Sequence, residues 1–505
     1  MIKKLSLIIA FLLLTIFPLS SCNKNTTNKN EEEKYNYLLA EAGEITVPLT
    51  PFDSLDPLTT ENLSYFYLCG LVYEGLYTLD KNYRPRPVLI QDEFVGDKTI
   101  RIRLKDGIVF HDGQNLRASD VVDSLNRIRT IGKGPYYNLI VNNITKKFAL
   151  NARAIDDRTV EFTYDGDGPF LKEYLIFPVV KSDNVNLKTT MPSGTGPFKF
   201  ASYENKKELN LERFDNYHDE ISSIGKIKGI VHESEDLIYT SLETGRIKVS
   251  TAWDLNYFKF FNNDRFNAKT YLSNEMYFLF LNPSGVLQDA PLREAIYSSI
   301  DKDKIIKMAL NDQAYPSTRF INPNSYFYRL NQDENSDDKA REILGDRHET
   351  INLYFYWNNE YHVKIATQLA EEFRGVGFKV NLVGSTNESF DDYKNNLKAG
   401  GYDIALVGMN TNLIPDYAYT INSILPYQST AINEALSEIS DAKDEEDLIK
   451  ITNKIDLIIQ HERIFVPLVY KVDALIYSNS IVGEIEPNAI FPYRTLRSAY
   501  FTTKQ

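Results

Sequence analysis

The stretch IRLKDGIVFHDGQNLRASDVV, residues 102–122, combines the two patterns that decide the fold class. In KTIRIRLKDGIVFHDG, strand-like residues on both sides of the turn formers Asp106 and Gly107 predict two strands. The following ASDVVDSLNRIRT predicts a helix, which Ser119 can cap and which has Asp120 in its first turn. The apolar stripe of this helix consists of Val121, Val122, Leu125 and Ile128.

Strand-like and helix-like segments alternate along the rest of the chain. Strands are predicted for TVEFTYD and YDIALVGM, and two helices that are separated near Asp301 are predicted for APLREAIYSSIDKDKIIKMAL. A helix, a turn and a strand are predicted for HVKIATQLAEEFRGVGFKVNLVGS. A long helix that leads into a strand is predicted for DEEDLIKITNKIDLIIQHERIFVPLVY. No linker rich in Pro or Gly divides the chain after residue 40. This alternation favours an α/β fold with lobes.

The N-terminus has the features of an export signal. Two lysines precede an apolar run over residues 5–19, which is shorter than the about 20 residues of a membrane-spanning helix. LSSC follows directly, a pattern typical of lipoprotein signal peptidase sites. We therefore expect residues 1–21 to be a signal peptide and an acylated Cys22 to hold the protein at the membrane; the alternative is an uncleaved anchor. Residues 23–34 contain no apolar side chain and predict a flexible tether over residues 22–40.

Charge and cysteine content exclude several classes of protein. The chain has a formal net charge of −13, with 56 basic and 69 acidic residues. Loss of two lysines with the signal leaves 54 basic residues and a net charge of about −15, which argues against nucleic acid as a partner and against polybasic membrane docking. With Cys22 acylated, Cys69 has no disulfide partner, and its apolar neighbours predict a buried core residue.

Five motifs occur in a fixed order along the chain. They are SLDP at residues 54–57, LVYEGLYTLDKNYRPRPVL at 71–89, the opening stretch at 102–122, PSGTGPFKF at 192–200 and FLNPSGVLQDAPLREAIYSSIDKDKI at 280–305. In this order they resemble the family 5 extracytoplasmic solute-binding proteins of ABC importers. That family includes oligopeptide-, dipeptide- and nickel-binding lipoproteins, and the resemblance covers residues 43–500.

The resemblance implies an α/β fold of the two-lobed periplasmic-binding-protein type (type II, venus-flytrap) with an additional inserted domain. The expected lobe I is discontinuous and comprises residues 41–60, 183–272 and 475–505. The additional domain comprises residues 61–182, and lobe II comprises residues 273–474. A ligand would lie between the lobes and be released when they open about a hinge. The tether at Cys22 would keep such a protein beside its permease.

The sequence contains none of the familiar catalytic or metal-binding motifs. Its six histidines show no paired metal spacing, and there is no Gly-x-Ser-x-Gly elbow. SGTGPF is not followed by Lys-Ser/Thr, so we interpret it as a turn where the chain crosses between domains. These patterns predict neither catalytic residues, nor a metal, nor a cofactor.

Resemblance to the family also indicates candidate ligand-binding residues. Aromatic candidates for the cleft are Trp253, Tyr271, Tyr277 and Trp357, because amphipathic rings pack against a ligand without requiring one partner. For each of them, packing in the core or at the surface is the alternative. His362 corresponds to a ligand-facing histidine of an oligopeptide binder.

The loop that ends GYDIALVGMNTNLIPD departs from the peptide-binding members. Those members typically carry a Gly-Trp pair followed shortly by an Asp that pairs with the peptide amine. Here Met409 stands in place of the Trp and Asn412 in place of the Asp; Asn410 is a further candidate contact. Either Asp416, four residues on, substitutes as the anchor, or the ligand has no ammonium there. We expect the second, because Pro415 stiffens the loop.

These observations predict a function in solute uptake. The expected protein is a monomer, lipid-anchored on the extracytoplasmic face of the cell membrane, that captures a peptide or other small organic solute and delivers it to ABC permease subunits. A surface receptor of the same fold for a peptide signal, or an adhesin or chaperone, is the alternative. A secreted hydrolase is a third possibility, which the lack of a nucleophile or metal motif disfavours.

Overall fold

A computed structural model describes most of the chain after its first 42 residues. The described residues are 43–52, 54–96, 98–141, 147–164, 172–181, 191–261, 263–329, 335–414, 417 and 429–501. From Gly43 onward the chain forms one compact unit. Within these described ranges, no helix combines the length and apolarity needed to cross a bilayer.

Helices and strands alternate as the sequence predicts. The helices are α1 Leu63–Val72, α2 Ala118–Ile131, α3 Pro135–Ile140, α4 Glu235–Glu243, α5 Ala290–Ser298, α6 Lys302–Lys304, α7 Asp337–Leu344, α8 Glu360–Val376, α9 Phe390–Ala399, α10 Thr430–Ser437 and α11 Glu445–Glu462. The strands are β1 Glu44–Leu49, β2 Tyr77–Leu79, β3 Pro85–Pro87, β4 Ile90–Val95, β5 Thr99–Leu104, β6 Leu150–Ala154, β7 Thr159–Tyr164, β8 Phe198–Glu204, β9 Glu208–Arg213, β10 Lys226–Val231, β11 Val249–Ala252, β12 Phe266–Leu281, β13 Ala314–Pro316, β14 Thr350–Tyr354, β15 Lys379–Val383, β16 Ile404–Asn410, β17 Phe465–Ser478, β18 Ile481–Gly483 and β19 Ala499–Phe501.

Three larger sheets organise these strands. One four-stranded sheet has the order β1-β10-β9-β8 and another has the order β4-β5-β7-β6. The seven-stranded sheet has the order β11-β17-β12-β16-β14-β15, with β13 also paired to β17. Because β1 pairs with β10 in parallel across some 180 residues of intervening sequence, the first sheet is closed by long-range contacts.

The opening stretch forms one strand and one helix, and two details of its prediction are wrong. The expected second strand is absent from this stretch; Val109 makes only an isolated bridge to Asn115, because residues 108–116 close on themselves in a tight loop. Helix α2 begins two residues earlier than an N-cap at Ser119 would place it, because Arg117 occupies the N-cap position. The Asp120 carboxylate accepts a hydrogen bond from the Arg117 backbone N–H at 2.9 Å, which satisfies one free donor at the start of the helix.

The other predicted elements are confirmed. TVEFTYD forms β7, YDIALVGM forms β16, and helix α8 is followed by a turn at Gly377 and by strand β15. Asp301 separates α5 from α6 and caps the latter. Acidic residues in the first turn of α11 precede the long strand β17.

Strands β12 and β17 pair in antiparallel orientation over most of their length, and they are neighbouring interior strands of the seven-stranded sheet. Their pairing extends from Phe266 with Ser478 to Leu272 with Val472, and it resumes at Met276 with Tyr470. Residues 273–275 of β12 therefore bulge opposite a single residue of β17, and a bulge of this kind redirects side chains. The break lies at the predicted 272/273 boundary, while the division into domains stays a prediction.

The segment SGTGPF crosses the C-terminal end of α1 at very short range. A Cβ atom on Gly194 would lie 2.1 Å from the Val72 carbonyl oxygen, and one on Gly196 would lie 2.6 Å from the Leu71 carbonyl oxygen. The Gly196 N–H donates to the Val72 carbonyl at 2.9 Å. Glycine is required here because two backbones touch without intervening side chains.

The His111 side chain forms hydrogen bonds with the backbone of the SGTGPF segment. The Gly194 N–H donates to His111 Nδ1 at 3.1 Å, and Nε2 of the ring contacts the Gly196 carbonyl oxygen at 2.9 Å. Burial lowers the pKa of His111 to about 4, so the ring is neutral and can accept on one nitrogen while it donates on the other.

A buried ion pair links the segment after β13 to helix α11. The Arg319 guanidinium pairs with the Asp456 carboxylate, and both side chains are almost completely excluded from solvent. The Tyr417 hydroxyl donates to Asp456 at 2.8 Å, and Arg319 donates to the Arg329 carbonyl at 3.0 Å. The pair is thus satisfied by further hydrogen bonds, as buried charges require.

Cys69 lies on α1 with 3% of its surface exposed, which confirms it as a small core residue. Burial raises the pKa of its thiol far above the ordinary value. The same helix packs against Phe491, whose ring lies where a side chain on Gly70 would stand.

Candidate ligand-binding cleft

A cleft of about 410 Å³ lies beside the paired strands β12 and β17. Its floor consists of residues 273–275 in the β12 bulge, residues 410–413 at the end of β16, and two side chains of β17. The walls come from α1, from α3, and from residues near Trp253 and Ile490. All three segments of the predicted domain division contribute to this lining.

Aromatic and aliphatic side chains form most of the walls. Asn62 caps α1 by accepting the Tyr65 N–H at 2.9 Å, and the first two turns of this helix direct Phe66 and Tyr67 toward the cleft. The ring centroids of Phe66 and Tyr136 of α3 lie 5.9 Å apart. Such a surface can pack against an organic solute while polar groups of the floor fix its orientation.

Three charged side chains lie together on the floor. Lys471 Nζ is 2.7 Å from Glu275 Oε2 and 3.4 Å from Asp473 Oδ1. Lys471 stands opposite the β12 bulge, and Asp473 is two residues further along β17, on the same face of the strand. Glu275 Oε1 also accepts a hydrogen bond from the Tyr277 hydroxyl at 2.5 Å. We call Glu275, Lys471 and Asp473 the charged trio.

The titration of the charged trio reflects its burial and its mutual contacts. Burial raises the pKa of Asp473 to about 6, although Lys471 partly offsets the effect. Burial alone would raise the pKa of Glu275 too, yet the ammonium of Lys471 holds it below its usual value. Burial would lower the pKa of Lys471, but the two carboxylates hold it above its ordinary value. Lys471 is therefore charged at neutral pH.

Three of the predicted site residues line the cleft. Trp253 follows β11 on one wall, Asn410 ends β16, and Asn412 lies two residues further on the floor. Asn410 stands directly opposite Glu275 in the pairing of β16 with β12. Their role in binding stays a prediction.

Three other predicted residues lie behind the cleft surface. Tyr271 is buried and its backbone pairs with that of Asp473. Tyr277 is fully buried, stacks on Tyr361 at 5.6 Å and supports Glu275 through its hydroxyl. His362 packs edge-on against Tyr277, and burial lowers its pKa to about 4.

The remaining predicted residues lie elsewhere or outside the described residues. The ring centroids of Trp357 and Phe355 lie 4.7 Å apart, and the Trp357 indole fills the space beside Gly384. Trp357 is not among the described residues that line the cleft. Met409 pairs with Met276 in the sheet and is half-buried. Asp416 and Cys22 lie outside the described residues.

The charged trio was missed in the sequence, although a signal for part of it exists. In LVYKVDALIY, Lys471 and Asp473 interrupt an otherwise apolar strand with a spacing of two, which places both on one face. Glu275 gives no comparable signal, since its position depends on the bulge. Among the described residues, no group of three or more His, Cys, Asp or Glu side chains could hold a metal ion.

Comparison with known proteins identifies the family. The sequence model of the bacterial extracellular solute-binding proteins, family 5 (middle region), matches residues 84–430, which is more than half of the chain. The chain belongs to this family. Family 5 solute-binding proteins bind their solutes and are not enzymes, and members are extracytoplasmic.

Individual family 5 proteins are similar over most of their length. The dipeptide-binding protein DppE of Bacillus subtilis (strain 168) is 23% identical over 419 residues, which cover 75% of both chains. The nickel-binding protein NikA of Staphylococcus aureus is 23% identical over 426 residues, covering 79% of this chain and 83% of NikA.

Solved structures of binding proteins share the fold. The crystal structure of the ABC transporter substrate-binding protein CtaP from Listeria monocytogenes superposes with a TM-score of 0.80 at 22% identity, covering 92% of this chain and 100% of CtaP. The predicted fold class, a mixed α/β two-lobed periplasmic-binding-protein fold of type II, is thereby confirmed.

Proposed function

We propose that this family 5 protein captures a peptide-like or other small organic solute in the cleft beside β12 and β17 and delivers it to an ABC importer. The observation that carries the proposal is the lining of the cleft, in which an aromatic wall faces a floor of amides and charges. Such a lining supports binding of an organic solute that has both apolar and polar parts. One relative is named for dipeptides and another for nickel.

We expect a bound solute to close the lobes and stabilise the fold. A ligand at a hundred times its dissociation constant stabilises the native state by about 2.7 kcal/mol. In the test, a mixture of unblocked peptides of two to four residues is added to the protein. The midpoint of thermal unfolding is recorded, and the radius of gyration is measured by X-ray scattering. A peptide that raises the midpoint without reducing the radius of gyration would contradict closure about a hinge.

Transport distinguishes the proposal from its alternative, a surface receptor, adhesin or chaperone of the same fold. A receptor binds its peptide without passing it on. Deletion of the gene should therefore abolish uptake of a labelled peptide that the protein binds. Unchanged uptake in the deletion strain, together with intact binding in vitro, would support the receptor instead.

The proposed membrane attachment depends on Cys22. We expect the variant Cys22→Ala to leave the membrane fraction, because acyl chains on this residue provide the anchor and the mature chain is acidic. Carbonate-washed membranes and the soluble extracytoplasmic fraction should be compared by immunoblot, with Cys69→Ala as the matched control that stays attached. A Cys22→Ala protein retained in washed membranes would defeat the lipoprotein assignment.

A further inference from the structure

The charged trio accounts for all the formal charge on the described lining of the cleft. Glu275, Lys471 and Asp473 are its only ionisable acidic or basic residues, and the other described lining residues are aliphatic, aromatic, hydroxyl or amide. Two carboxylates face one ammonium, so the fully ionised cleft has a net charge of −1. A solute entering this cleft therefore meets an excess of negative charge.

Lys471 is already committed to its two neighbours. Its side chain has 6% of its surface exposed, and its ammonium contacts Glu275 at 2.7 Å and Asp473 at 3.4 Å. The ring of Tyr361 covers it at 5.2 Å. An anionic group of a solute would have to displace a carboxylate to reach it, so the geometry disfavours an anion at this position.

Asp473 has unused capacity to accept hydrogen bonds. Its side chain is nine-tenths buried, and in the described part of the chain the only donor near its Oδ1 atom is the Lys471 ammonium at 3.4 Å, a distance longer than that of a strong charge-assisted hydrogen bond. A buried carboxylate oxygen with one distant donor is incompletely satisfied, and a nearby N–H group of a cation would complete its hydrogen bonding. Glu275, in contrast, is satisfied by Lys471 and Tyr277.

We propose that the charged trio receives a cationic group of the solute, an ammonium or guanidinium, whose N–H donates to Asp473. This inference rests on the proposed function and specifies its ligand class. It replaces the expectation of a neutral or blocked ligand, which considered only the loop after β16. The carboxylate comes from strand β17 instead, and Lys471 fixes both acidic partners in place.

The test compares trialanine with Nα-acetyl-trialanine and with cadaverine, an amine that is not a peptide. Calorimetry should be done on the mature chain, on Asp473→Asn, and on Asp264→Asn, a matched loss of one exposed surface carboxylate. We expect wild type and Asp264→Asn to bind trialanine at least about tenfold more tightly than its acetylated form, a difference of about 1.4 kcal/mol. Asp473→Asn should abolish this discrimination.

Each other outcome decides between the two proposals. Equal binding of free and acetylated trialanine by wild type, or discrimination retained in Asp473→Asn, would overturn the cation site and leave peptide binding intact. Cadaverine bound in an Asp473-dependent manner, without either peptide, would support the cation site and overturn peptide binding. No binding of all three up to millimolar concentration would overturn both. If Asp473→Asn does not fold, Glu275→Gln replaces it, because this change removes the net negative charge of the described cleft lining, and loss of discrimination is again expected.

Discussion

The variant Arg319→Met is expected to lose about 3–5 kcal/mol of stability, because it leaves the Asp456 carboxylate buried without its guanidinium partner. The Tyr417 hydroxyl, which donates to Asp456, cannot neutralise that charge. Differential scanning calorimetry should show a much lower unfolding temperature than for wild type. The partner loop ending at Arg329 also loses a hydrogen bond to the guanidinium.

Two further variants show whether charge is responsible. In Arg319→Met/Asp456→Leu no unpaired charge remains, and such replacements are often neutral or stabilising, so most of the loss should be recovered. Arg341→Met, at a half-exposed arginine that pairs with Asp337 and Asp338, should change stability by less than about 1 kcal/mol. A double variant as unstable as Arg319→Met would show that packing, and not the buried charge, sets the cost.

The variant Gly194→Ala is expected to lose about 3 kcal/mol, and the change should separate the SGTGPF crossing from α1. A methyl group there would overlap the Val72 carbonyl oxygen at 2.1 Å, and backbone cannot move aside as a flexible side chain can. Because α1 also forms a wall of the cleft, affinity for a bound peptide should fall together with the unfolding temperature.

Gly401→Ala is the matched control for this prediction. A Cβ atom at Gly401 meets nothing within 4 Å, and this glycine has no positive φ. The same substitution should therefore change stability by no more than about 0.5 kcal/mol. Equal unfolding temperatures for Gly194→Ala and Gly401→Ala would mean that the crossing can relax around a methyl group.

Local patterns in the sequence were sufficient for elements whose residues decide their own conformation. The periodic apolar residues of α2 and the acidic start of α11 specify those helices from within. The apolar residues between positions 108 and 116 predict a strand but form a loop, because a turn can bury apolar side chains as a strand does. The SGTGPF motif predicts a turn, and the structure shows a bend over residues 195–197, whereas the contact of this segment with α1 required the structure.

The cleft was less predictable, because its floor depends on pairing between strands distant in sequence. Glu275 reaches Lys471 only through the register break between β12 and β17. No single-sequence periodicity contains the register of strands that are separated by nearly 200 residues. Aromatic content indicated several rings, but Tyr277 and His362 support the floor from behind while Trp253 lines the cleft.

The buried thiol of Cys69 is an intrinsic probe for the opening of helix α1. A thiol reacts as the thiolate, which both burial and its raised pKa suppress here, so alkylating reagents reach it only when helix α1 opens. If Cys22 is acylated, no second free thiol competes in the mature chain. The rate of labelling then reports the frequency with which one wall of the cleft detaches, without any introduced probe.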